Sequence, residues 1–146
     1  MKKTRKVTRV KLQVDQINEF ILLGLVSSEA DYKLSLTLNK KFSISLKNIS
    51  PVKITGDTGT ELLFSRFSDI SESSDRIFNL ISNRSGKHFL IRKLKNIDYI
   101  LQVHDPDNKN IVNEIASNLR DIAGITAVFN IDTGTMKDKN LHLVIQ

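Results

Sequence analysis

The 146-residue chain contains no cysteine, which excludes a disulfide framework, a thiolate metal site and a cysteine nucleophile. Long apolar runs are missing as well. The longest, FILLGLV at residues 20–26, falls far short of the ~20 residues that a membrane-spanning helix needs. The first eleven residues have neither the apolar segment nor the small-residue cleavage site of a secretory signal. Together these absences predict a cytoplasmic protein with no membrane partner. Acid is missing from one place in particular: nothing acidic precedes Asp15, whereas Lys2, Lys3, Arg5, Lys6, Arg9 and Lys11 all lie before it.

Recognisable chemistry is also scarce. There is no G-x-x-x-x-G-K phosphate loop and no dinucleotide fingerprint, and the serines between 65 and 85 include no G-x-S-x-G elbow. His88, His104 and His142 fall on separate predicted strands without ligand spacing around them, whereas a metal site needs three or four converging ligands. His104-Asp105-Pro106-Asp107 reads as a strand-ending turn, for which Asp and Pro are the usual residues. The expectation is a protein without catalytic residues, metal or cofactor.

What remains is an ordinary globular composition, 40% hydrophobic and 26% charged, of a length that suits one domain. The net charge of +6 equals the six cations of residues 1–11, because the rest of the 22 basic residues are matched in number by the 16 acidic ones. The chain therefore divides into a basic N-terminal arm, residues 1–11, and a neutral body, residues 12–146, forming a single α+β domain. A solubilising face is the plainer explanation of such a charge run, and a phosphate-binding arm the sharper one.

Periodicity assigns the elements. Residues 8–14 alternate as a half-buried strand, and 20–26 is continuous enough for a strand buried on both faces. Ser28 looks like the cap of a helix over residues 28–41. Ala30, Leu34, Leu38 and either Lys41 or Phe42 follow helical spacing, and Tyr32 and Leu36 would widen the stripe. A short alternation at 42–46 precedes a polar stretch holding Pro51, Gly56 and Gly59. Strands at 60–67, 76–81 and 87–94, separated by polar turns, form a meander. Another alternating strand starts at Ile97. Asp105-Pro106-Asp107 ends it and caps a second helix, whose stripe is Ile111, Val112, Ile115, Ala116, Leu119, Ile122 and Ala123. Gly124 closes that helix in the left-handed conformation. Residues 125–131 and 141–145 read as the last strands. The prediction is a predominantly antiparallel sheet of seven to eight strands with two helices. Glu19-Phe20-Ile21-Leu22 aligns at a constant offset with Asp98-Tyr99-Ile100-Leu101, so the two strand–helix units read as a pseudo-repeat.

With the elements in this order, three short motifs stand out: Leu38-Asn39-Lys40-Lys41-Phe42, Phe64-Ser65-Arg66-Phe67, and Ile91-Arg92-Lys93-Leu94-Lys95-Asn96-Ile97-Asp98-Tyr99. On these the chain resembles the IPExxxVDY family of Bacteroidetes proteins over most of its length. Ile91, Asp98 and Tyr99 fit the name-giving segment, whereas Arg92 replaces its proline, Lys93 its glutamate and Ile97 its valine. The resemblance implies a bacterial cytoplasmic protein of unassigned function and supplies no catalytic residues. The passage 119–129 also looks like part of a ferredoxin-like domain, of which ACT-type regulatory domains are one kind; this is analogy of fold, which does not establish function.

Two functional expectations follow. Between Arg76 and Ile97 there are six cations and no acid, and Arg92, Lys93 and Lys95 cluster in that segment with Phe78 and Phe89 interleaved. Joined to the N-terminal arm, this basic surface would hold RNA or an RNA–protein assembly through its phosphates. The alternative is a regulatory or scaffold domain that binds a small ligand or pairs into a homodimer. Asp98 and Tyr99 invite a catalytic role, but alternation places Tyr99 with Leu101 in the core, and Asp98 suits a turn or an ion pair.

Overall fold

The structure, a computed structural model, describes residues 20–56, 58–70, 76–105, 111–132, 134, 138 and 140–145. The basic arm, the strand expected at 8–14 and the cap at Asp107 lie outside these residues.

Strand β1 (Phe20–Ser27) is followed by helix α1 (Asp31–Phe42) and a hairpin of β2 (Leu46–Thr55) and β3 (Glu61–Asp69). Next come β4 (Ile77–Ser82), the short pair β5 (Arg84–Ser85) and β6 (His88–Phe89), and β7 (Tyr99–His104). Helix α2 (Ile111–Arg120), β8 (Ile125–Asn130) and helix α3 (Leu141–Ile145) complete the described elements. Six strands form one antiparallel sheet in the order β2-β3-β4-β7-β1-β8, and β5 pairs with β6 apart from it. The fold is α+β, as the sequence predicts.

Both faces of the sheet are covered, so its central strands bury side chains on both sides and are mostly apolar rather than alternating. On one face α1 and α2 bring Leu34, Leu38, Ile111, Ile115 and Leu119 against Leu23, Leu25, Leu80, Tyr99, Leu101 and Val103. On the other, Leu22, Phe64, Ile81 and Ile100 meet Leu90, Ile91 and Ile97 from the segment after β6, and Val144 from α3. Strand β7 serves both cores: 99, 101 and 103 face the helices, and 100 faces away.

Several expectations change. The strand expected at 87–94 shrinks to His88–Phe89, and the chain then turns through residues 90–97, with Leu94 N–H on Ile91 O and Ile97 N–H on Leu94 O. The strand expected at 141–145 is the single helical turn α3, opened by Leu143 N–H on Asn140 O. Its five residues are too few for a period of two to be told from one of 3.6. Helix α1 starts at Asp31, with Ala30 rather than Ser28 at its N-cap and no side-chain cap, and Tyr32 and Leu36 are exposed rather than part of its buried stripe. Strand β2 runs straight through the stretch read as a polar connection. Pro51 is tolerated because β2 is an edge strand and its register shifts between Ile49 and Val52. Gly124 does not take the left-handed conformation, which falls instead to Gly59, Gly86 and Ser43. An added Cβ at 124 would lie 2.7 Å from Glu29 Cγ, so a larger residue there would have to displace the Glu29 side chain.

The two strand–helix units are present, and their strands β1 and β7 are antiparallel neighbours. The proposed offset fails, however. It matches Leu22, which faces away from the helices, with Leu101, which faces them. A one-residue slip reverses every side chain in a strand, so a true repeat needs an odd change of this offset.

Candidate functional site

Arg92, Lys93 and Lys95 sit on the turning segment 90–97, and one buried side chain shapes that segment. Asn83, with 0% exposure, donates from Nδ2 to Leu94 O at 2.9 Å and Ile97 O at 3.0 Å, and accepts Ile91 N–H on Oδ1 at 2.8 Å. Its own backbone accepts Leu90 N–H and donates to Asp98 O. Asn140 adds a bond from Nδ2 to Leu90 O at 2.8 Å. The apolar residues Leu90, Ile91 and Ile97 point inward, and the cations between them point to solvent.

Gly24 seats this segment on the sheet. A Cβ there would lie 2.7 Å from Ile97 Cδ1 and 3.2 Å from its Cγ2, so only glycine lets Ile97 rest against the backbone of β1. The neighbour of Gly24 on β8 is Phe129, on the sheet's outer edge and 52% exposed. Between segment and edge strand lies a groove of about 750 Å³. Leu94, Ile97 and Ile131 give it an apolar lining, Arg92, Lys93 and Lys95 give it positive charge, and Phe129 and Asn130 stand on its β8 side. Asp132, at the same groove, holds its Oδ1 on Gly134 N–H. Such a groove can hold a polyanion by its charges and a planar group against its aromatic ring.

The rest of the basic run does not join this surface. The Arg76 Nε donates to Asp105 Oδ2 at 2.8 Å and its Nη2 reaches Glu114 Oε2 at 3.3 Å, contacts that raise its pKa further above the ordinary arginine value. Arg84 pairs with Asp98 at 3.0 Å and lies over the Phe89 ring, 5.2 Å from its centroid. A run without acids in sequence is thus partly neutralised in space. The interleaved aromatics are also committed: Phe78 is 2% exposed and packs on Phe42, and Phe89 is half-buried beneath Arg84. Phe129 takes the place they were expected to fill. Its signal in sequence was alternation, which sets it on the face opposite Val128.

Asp98 and Tyr99 belong to a second cleft of about 750 Å³ between the ends of β1 and β7. The Asp98 Oδ2 accepts Ser27 N–H at 2.9 Å while its Oδ1 meets Arg84. The Tyr99 hydroxyl donates to Glu29 O at 2.6 Å, and burial, reinforced by the charges of Asp31, Asp98 and Glu29, pushes its pKa up to about 12. Ser27 Oγ donates to Gly124 O and accepts Glu29 N–H. Each of these polar groups is spent on tying β1, β7 and the start of α1 together. Ile91 and Ile97 of the same motif are core residues.

Among the described residues, no helix is long and apolar enough to cross a membrane, and no three His, Asp or Glu side chains are grouped to hold a metal ion. No protein-family model matches the chain, and no match to it was found among curated proteins.

Proposed function

We propose that the chain is a non-enzymatic cytoplasmic module that binds single-stranded RNA, alone or within an RNA–protein assembly, in the groove between residues 90–97 and β8. The observation that carries this is the meeting of Arg92, Lys93, Lys95 and the exposed ring of Phe129 in one groove. Cations track a phosphate backbone, and an aromatic face accepts any base, at ~1–3 kcal/mol per stacked base. Lys2, Lys3, Arg5, Lys6, Arg9 and Lys11 add sequence-independent attraction from the arm. The resemblance to the IPExxxVDY proteins is carried forward on the same footing. So is the ferredoxin-like relation: β8-β1-β7-β4, with a helix after β1 and after β7 on one face, has that strand order, with the β2–β3 hairpin inserted beyond β4. The second core closes the face opposite α1 and α2, which directs RNA to the rim.

The test is a fluorescence-anisotropy titration of the full chain with a labelled mixed-sequence RNA of about 12 nucleotides, across a salt series. Phe129→Ala should weaken binding by roughly 5- to 100-fold at every salt concentration. Charge removal by Lys93→Gln with Lys95→Gln should instead flatten the dependence of log K on log salt, by ~0.7 for each phosphate that is no longer neutralised. Binding that ignores both changes, or an absence of binding at low salt, overturns the proposal.

A further inference from the structure

On the face opposite α1 and α2, one row of side chains crosses three strands in register: Ser68 of β3 beside Asn79 of β4, and Asn79 beside Gln102 of β7. A polar row is out of place against the apolar core that begins one row away with Ile81 and Ile100. Gln102 is 1% exposed. Asn79 Nδ2 donates to Gln102 Oε1 at 3.1 Å, and Gln102 Nε2 has no hydrogen-bond partner. The bond uses the NH2 group of Asn79, which is half-buried, and leaves over that of Gln102, which is buried. A buried unsatisfied donor costs ~1–3 kcal/mol, so it calls for an acceptor.

The row opens into a pocket of about 240 Å³, room for roughly eight waters at ~30 Å³ each. Arg66 also lines it, its Nε held by Ser50 O at 3.0 Å. Ile49, Ile81, Leu143 and Val144 supply apolar walls, and none of the described lining residues is acidic. Water would satisfy the amide but would leave those walls wetted. A phosphate dianion would meet a single cation and lose its shell against the same walls. A carboxylate bearing a short apolar tail suits both halves, its single charge facing Arg66, Ser68 and the free NH2.

We propose that this pocket is a binding site for a small aliphatic monocarboxylate. It is separate from the RNA groove and stands or falls without it. The experiment is an NMR chemical-shift titration of the full chain with acetate, butyrate, hexanoate and inorganic phosphate. Shifts should appear at Ser68, Asn79 and Gln102. Affinity should rise from acetate to hexanoate by about fourfold for each CH2 buried. Arg66→Met keeps the apolar stem of the side chain and should weaken hexanoate roughly 10- to 100-fold, and Gln102→Met should also weaken it. Two results overturn the proposal: an unmodified protein that does not respond to hexanoate, or phosphate binding as tightly as butyrate. Hexanoate affinity unchanged in Arg66→Met and Gln102→Met, each with a folded spectrum, overturns it too.

Discussion

Asn83 fixes the path of a whole turning segment with one buried amide. Its amide bonds three backbone groups of the segment 91–97, which has no ladder of its own. Asn83→Ala would remove the partner of Ile91 N–H and of Ile97 O and leave Leu94 O with only its bond from Ile97 N–H, so a stability loss of ~3 kcal/mol is expected by urea unfolding. Tyr99 offers a second test. Its pKa rises on folding from about 10 to about 12, so the folded state holds the proton more tightly. That contribution is fully present below pH ~10 and is lost as pH rises through 12. Unfolding free energy should therefore fall across that window, and fall less steeply in Tyr99→Phe. At neutral pH the same variant should lose ~1 kcal/mol with the bond to Glu29 O. Tyr99 was legible because alternation placed it with Leu101. Asn83 was not, because an asparagine in a polar turn looks the same whether it bonds water or organises eight residues. Phe129 escaped notice because an aromatic within an apolar run is ordinarily core.

Local pattern identified most elements and misjudged those shaped from a distance. Helix α2 was clear because Ile111, Ile115 and Leu119 recur at helical spacing and are all buried. Strands β3, β4 and β8 were bracketed by turn residues. The segment 87–94 reads as a strand from its apolar content, yet its Leu90 and Ile91 serve the core from a turn, held by an asparagine on another element. Helix ends were the weakest point. Helix α1 stops at Ser43, whose φ of 54° belongs to the left-handed region and whose side chain is exposed, while Ile44 N–H reaches back to Asn39 O at 3.1 Å. Glycine takes this conformation without the strain that serine carries there. Ser43→Gly should raise stability by about 0.5–1 kcal/mol, read as an upward shift of the unfolding midpoint; a fall would show that Ser43 is not strained.

At the scale of the molecule, the sheet joins two cores that share its central strands. Leu101 is wholly buried on the helix side, and Ile100, one residue away, is 1% exposed on the other. Leu101→Ala should cost ~2–5 kcal/mol and Ile100→Val ~0.5–1.5 kcal/mol. Both should lower one common transition, because neither core can open while β7 stays paired. Two separable transitions, one moved by each substitution, would mean that the cores are independent. Strand order was beyond reach of the sequence, since pairing β1 with β7 depends on residues about 80 positions apart that no local pattern relates. The pinned segment 90–97 has a consequence for how the protein ages. Arg92, Lys93 and Lys95 are surface positions that trypsin recognises, but a protease must draw several residues into an extended strand before it can cut. Here the backbone on both sides is tied down at Ile91, Leu94 and Ile97. Cleavage there requires the far core to open first, so these bonds should survive limited digestion of the native protein and give way early in Asn83→Ala.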